Sequence, residues 1–176
     1  GKPIIGWLGT GPEHLHNFPV LVSVLTKLAA HKDLPFTFVL IGAFKNKKIY
    51  DLFRQIPGLD VRFVDKLVYT DPESAPKEIR KFDIGVVPHQ MDGAWNKAKT
   101  SMKILEYMAC ALPAVVSAFG EMPYVVEDGV NGFVAASEDE WVEKLSHLLA
   151  DRVLRERLGR AGQRTVREHY SFDAIV

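Results

Sequence analysis

Six short apolar runs alternate along this chain with segments whose apolar positions recur every three or four residues. The runs are Ile4–Leu8, Phe36–Ile41, Val61–Val64, Ile84–Val87, Ala114–Ser117 and Gly132–Ala135. They are continuous rather than alternating with polar residues, which is the mark of strands buried on both faces. Helical periodicity falls between them, at about His14–His31, Lys47–Gln55, Ala75–Lys81, Ser101–Ala111, Glu138–Ala150 and Asp151–His169. Such β/α alternation predicts an α/β fold, a parallel sheet covered by helices on both faces. Proline and glycine mark the joints, at Gly9-Thr10-Gly11-Pro12, Pro57-Gly58, Asp71-Pro72, Asp128-Gly129 and Asn131-Gly132. Trp141, Leu145, Leu148 and Leu149 form one core-facing stripe; Leu154, Leu158 and Ala161 form another.

Composition narrows the function classes. The 176 residues, 47% apolar, suit one domain with one core, and the formal net charge is zero. A general nucleic-acid binder needs excess basic charge, so that class is disfavoured. Cys110 is the single cysteine and lies in an apolar run, which predicts a core residue and no internal disulfide. No stretch reaches the roughly 20 apolar residues of a membrane span. The opening run Ile4–Leu8 is too short for a signal peptide, so the expectation is a cytoplasmic protein.

Charge is unusual at one place. A helix is expected to start near Thr100 or Ser101, and Lys97, Lys99 and Lys103 crowd that start. A helix N-terminus carries about half a positive charge, so acids belong there, yet Gly93 to Leu105 holds no carboxylate. A bound anion is the natural compensator, because free helix N–H groups and lysines together suit a phosphate or diphosphate. Ligands of open parallel sheets sit beyond the carboxyl ends of the strands. There the loops Gly9–His14, Gly42–Asn46 and His89–Lys99 should gather. Gly9, Thr10 and Gly11 could bring backbone close to a phosphate, although His14 stands where a dinucleotide fingerprint needs glycine. Glu106, one turn after Lys103, suits either an exposed ion pair or a partly buried carboxylate accepting from sugar hydroxyls. Its apolar neighbours favour the second. Of the six histidines none forms a metal pair, His31, His147 and His169 are expected on the surface, and His89 stands out because it follows the fourth strand. Glu121, before Pro123, suits helix capping and ligand contact equally.

These residues carry a resemblance. Lys103-Ile-Leu-Glu-Tyr-Met-Ala-Cys-Ala-Leu-Pro-Ala-Val-Val-Ser, then Gly120, then Glu127-Asp-Gly-Val-Asn-Gly-Phe, resembles the donor-binding half of GT-B glycosyltransferases of the large retaining family four, glycosyl transferases group 1. Ile5-Gly-Trp-Leu-Gly, Phe82-Asp-Ile-Gly-Val-Val-Pro and the closing Leu158-Gly-Arg-Ala-Gly to Tyr170-Ser extend it over nearly the whole chain. The resemblance implies a Rossmann-like three-layer lobe with a mostly parallel central sheet, one half of a GT-B fold. Residues 1–176 would be the C-terminal, nucleotide-sugar-binding domain, with an N-terminal acceptor lobe outside them. Glu106 would bind the donor ribose, N–H groups near Ser101 and Met102 the diphosphate, and the loop after the first strand the phosphates or sugar. Lys66 and Leu67 would lie near the nucleobase, largely through backbone.

Two positions depart from the family pattern. Ala98 stands where a second glutamate is usual, and Gly9-Thr10-Gly11-Pro12-Glu13 supplies none of the usual early bases. Lys97, Lys99 and Lys103 would neutralise the leaving diphosphate from the opposite wall. The expectation is thus a hexosyltransferase-type enzyme moving sugar from a nucleoside-diphosphate donor to a carbohydrate or lipid-linked acceptor. It would need no metal, no nucleic acid and its partner lobe for turnover, and peripheral attachment to the inner membrane face is open to the full-length enzyme. The alternatives are a nucleotide-sugar epimerase lobe and a non-catalytic binding module.

Overall fold

The computed structural model describes residues 1–67, 70–89 and 102–170. Six described strands, β1 (Ile4–Leu8), β2 (Thr37–Ile41), β3 (Asp60–Val64), β4 (Ile84–Val87), β5 (Ala114–Ser117) and β6 (Phe133–Ala135), form one sheet in the order β3-β2-β1-β4-β5-β6. Every strand pair in it is parallel. The helices between them are α1 (Phe18–Ala29), α2 (Lys47–Arg54), α3 (Ser74–Ile79), α4 (Met102–Ala109), α5 (Met122–Val125), α6 (Glu138–Ala150) and α7 (Arg152–His169).

Strand side chains alternate between faces, and the sheet therefore divides the core in two. Ile5, Trp7, Phe38, Leu40, Ile84, Val86 and Val115 point to one side, where α1, α2 and α6 close over them with Phe18, Leu25, Phe53, Trp141 and Leu145. Leu8, Ile41, Val87, Ala114 and Val116 point to the other, under Ile79 of α3, Ile104, Tyr107 and Met108 of α4, and Met122 of α5. Helix α7 packs on both α4 and α6 at the β6 end. Three layers result, as the alternation of runs implies.

Most boundaries fall within two residues of the periodicity, and one segment differs in kind. The segment His14–His31 is not one helix: a 3-10 helix covers Gly11–Asn17, and α1 starts at Phe18 with Pro19 in its first turn. Proline fits there because that N–H has no helical acceptor in any case. Gly132 lies outside β6 and bridges to Asp128. Glu121 occupies the position before α5, and its side chain makes no capping hydrogen bond to that helix.

One detail opens the site. β1 pairs with β4 only at Ile5–Ile84 and Gly6–Gly85, and the two strands part beyond. The next N–H toward the gap, that of Leu8, is accepted at 2.9 Å by the Tyr107 hydroxyl from α4. Tyr107 reaches this place because Gly85 yields the room: a Cβ there would stand 2.3 Å from the ring.

Candidate functional site at the carboxyl edge of the sheet

The order 3-2-1-4-5-6 places a topological switch point between β1 and β4, where chain connections leave in opposite directions and a crevice forms at the carboxyl ends. The loop after β1 and His89 after β4 flank it. Two glycines hold the neighbouring loops almost backbone to backbone. Gly9 N–H donates to Ile41 O at 3.1 Å and Gly11 N–H to Gly42 O at 2.8 Å. Gly42 adopts φ 95°, and a Cβ on it would fall 1.7 Å from the Gly9 carbonyl oxygen. The N–H groups of Gly9 and Gly11 are thus bonded within the protein, and these glycines serve loop packing. Thr10 joins them, and its carbonyl accepts from Glu13 N–H in the first 3-10 turn.

Lys103, in the first turn of α4, lays its stem on Gly9. A Cβ at residue 9 would meet the lysine Cε at 2.5 Å and the Trp7 indole at 2.9 Å. The ammonium then lies 5.4 Å from the Trp7 ring centroid and 3.2 Å from His14 Nε2. His14 stands edge-on to Trp7, with centroids 5.4 Å apart, and edge-on to His89 at 6.1 Å. His89 is 6% exposed; its N–H donates to Ser117 Oγ at 2.9 Å and its ring stacks on Phe119. The structure thereby gathers Gly9, Lys103 and His89 from separate elements, and adds Trp7 and His14, which the sequence left unassigned. No local pattern marks His14, because its lysine partner lies 89 positions along the chain.

Glu106 follows one turn deeper on α4 and is half-buried. Burial pushes its carboxyl above the ordinary range, and the Lys103 charge partly offsets this. Met102, at the start of α4, is exposed. Lys66 is exposed just past β3, whereas the Leu67 side chain is buried in the second core cluster; only its backbone can face a ligand. Lys97, Lys99 and Ser101, and with them Ala98, lie outside the described residues. Beside the crevice the loop after β2 is strained, with Phe44 and Lys45 at φ 53° and 54°. It is held by Asp65, which accepts from the Lys45 N–H at 2.8 Å and from the Tyr50 hydroxyl. Those bonds, the tyrosine first, keep the Asp65 carboxyl below its ordinary range.

Among the described residues no three of His, Cys, Asp and Glu gather as a metal site, and no helix is long and apolar enough to cross a membrane. Chemically, the crevice offers a cation against a glycine wall, two imidazoles and a half-buried acid a helical turn away. That set can bind an anionic group and a hydroxyl-bearing one side by side.

Known proteins share this architecture. The profile described as "Glycosyl transferases group 1" matches residues 2–151. Spore coat protein SA of Bacillus subtilis is 22% identical over 182 residues, covering 100% of this chain and 47% of its own. An uncharacterized glycosyltransferase of Methanocaldococcus jannaschii is 29% identical over 136 residues, 76% of this chain and 36% of its own. The chain therefore spans about half or less of the length of these curated relatives. Among solved structures, the C-terminal domain of a glycosyl transferase group 1 family protein (LpcC) from Francisella tularensis superposes with a TM-score of 0.70 at 23% identity, over 98% of this chain and 88% of that one. Sucrose-phosphate synthase from Thermosynechococcus elongatus gives 0.76 at 20% identity, over 99% and 43%. Anabaena HepE, solved with UDP and glucose, gives 0.68 at 19% identity, over 94% and 44%. These likenesses establish the Rossmann-like lobe of a GT-B fold, and the profile match across most of its length establishes descent: the chain belongs to the glycosyl transferases group 1 family.

Proposed function

We propose that this chain is the donor lobe of a hexosyltransferase-type enzyme and holds a nucleoside-diphosphate sugar in the crevice between β1 and β4. The observation that carries the reading is Lys103: its stem is packed on Gly9 and its ammonium is aimed over the loop after β1, at the mouth of α4 and one turn above Glu106. The diphosphate would meet Lys103, with Lys97 and Lys99 and the N–H groups near Ser101 and Met102 as further donors. Glu106 would accept from the ribose hydroxyls, and backbone near Lys66 and Leu67 would border the base. His89 would face the phosphates or sugar from the end of β4.

In transfer, the bond from the sugar's anomeric carbon to a diphosphate oxygen would break as one to the acceptor's hydroxyl oxygen forms, and the hydroxyl proton would leave with the diphosphate. Charge grows on the departing diphosphate, and fixed cations and N–H dipoles stabilise it without needing a metal. The acceptor, a carbohydrate or lipid-linked group, would be held by an N-terminal lobe outside these residues. Alone, the chain is expected to bind nucleotide and transfer almost nothing.

Calorimetric titration with UDP, GDP and ADP tests this. One of them should bind, and Lys103→Ala should weaken it about tenfold or more, on the order of 1.4 kcal/mol. Unchanged affinity in that variant would remove the lysine from the site. Robust sugar transfer by the isolated chain would overturn the dependence on a second lobe.

A further inference from the structure

We propose that His14 is a positioning residue for Lys103 whose imidazole is neutral while no anion is bound and takes up a proton when a diphosphate enters the crevice. This rests on the donor-binding reading and adds to it a proton linkage within the site.

The chemistry follows from the two atoms in contact. A lysine ammonium donates hydrogen bonds and accepts none. The ring nitrogen facing it at 3.2 Å, Nε2, must therefore present its lone pair. A neutral ring then carries its proton on Nδ1, which lies 3.3 Å from the Asn17 side-chain amide. Turning the carboxamide so that its oxygen accepts this proton satisfies the contact, since amide orientation is assigned from such networks. Asn17 is 1% exposed, and its fixed amide sets the plane of the ring. Trp7 walls the opposite flank. The imidazole is thus oriented as an acceptor that keeps the ammonium over Gly9.

Among the described residues, the groups around His14 come from four elements. Glu13 and His16 are exposed on its own 3-10 helix, Trp7 comes from β1, and His89 from the end of β4. Lys103 comes from α4, with Glu106 one turn beyond it. Protonating the ring with no anion present would set two cations 3.2 Å apart, which a like charge disfavours. A diphosphate reverses the sign, because each cation can then donate to a phosphoryl oxygen. An imidazole is the side chain that titrates near neutral pH, so the uptake falls in the working range. The linkage has one direction: the gain in affinity is full below the pH at which the free-state ring titrates, and is lost as pH rises through the bound-state titration.

Two measurements test it. Imidazole nitrogen NMR on the free chain at pH 7.5 should show His14 protonated on Nδ1 and bare on Nε2. A ring protonated on Nε2, in either the neutral or the charged form, overturns the proposal. Calorimetry then uses UDP-glucose, GDP-glucose and ADP-glucose, whose diphosphates are diesters and do not titrate near neutral pH. Titration in two buffers of unlike ionisation enthalpy should show net proton uptake, with affinity about five- to tenfold higher at pH 6 than at pH 8. His14→Gln keeps a hydrogen-bonding side chain; it should retain the thermal midpoint, bind at every pH with only the weaker affinity seen at pH 8, and lose both the uptake and the slope. Binding without proton uptake, or uptake that persists in His14→Gln, overturns the linkage and leaves the donor-binding reading standing. Absence of binding by all three sugar nucleotides at every pH overturns both.

Discussion

Glu106 is held at a cost. Its half-buried carboxyl is pushed above the ordinary range by desolvation, with Lys103 only partly opposing. A raised folded-state value means that this residue's favourable share of stability is complete below the unfolded-state value and is lost as pH rises through the folded one. At neutral pH the charged form therefore works against the empty fold. Glu106→Gln should raise stability by about 0.5–1 kcal/mol, or about 1–4 °C in the thermal midpoint, while weakening nucleotide binding. Melting and titration on the same variant read both, and a fall in the midpoint would show that the carboxylate is structural. Lys45 gives a second residue-scale case. At φ 54° it adopts a left-handed conformation that costs an ordinary residue about 1 kcal/mol. Lys45→Gly should stabilise the chain by about 0.5–1 kcal/mol in denaturant unfolding. The contrasting change is Gly42→Ala. With a Cβ aimed 1.7 Å from a backbone oxygen, it should cost about 3 kcal/mol or more and dislodge the loop on which Lys103 rests.

At the scale of elements, β6 shows how an outer strand is closed off. Asp128 accepts from Val134 N–H at 2.8 Å, Lys144 donates to the Val134 carbonyl and to both Asp128 oxygens, and Glu140 accepts from Ala136 N–H at 2.9 Å. Side chains thus occupy the outer ladder of a strand that would otherwise template another chain. Asp128→Ala with Lys144→Ala should leave helix content unchanged and produce self-association in sedimentation. A strictly monomeric double variant would show that the clasp is dispensable. None of it was legible beforehand, since Asp128, Glu140 and Lys144 read as ordinary surface charges until β6 brings them together. The strands were legible because runs such as Ile4–Leu8 and Ile84–Val87 are buried on both sides and need no alternation. The segment His14–His31 misled because apolar spacing continues through Leu15 and Phe18 while the backbone changes from 3-10 to α at Phe18. Of the site, Lys103 could be read from a charge imbalance local in sequence and Glu106 from its apolar neighbours on the same helix. His14 could not, because its partner is 89 positions away.

At the scale of the whole molecule, one phenol ties α4 to the floor of the crevice. Tyr107 is fully buried, and burial pushes its hydroxyl far above its ordinary range, so it stays protonated at any working pH. It accepts from the Leu8 amide where β1 and β4 have parted. Tyr107→Phe would strand that amide in a dry gap, a loss of about 1–3 kcal/mol. The amide of Leu8 should then exchange with deuterium much faster, while protection at Ile5 is retained; equal loss at both would indicate global unfolding instead. The phenol thus acts as a rivet through the floor of the crevice, fixing how far its two walls can spread. Changing the catch of this jaw should therefore alter grip on a ligand that the tyrosine never touches.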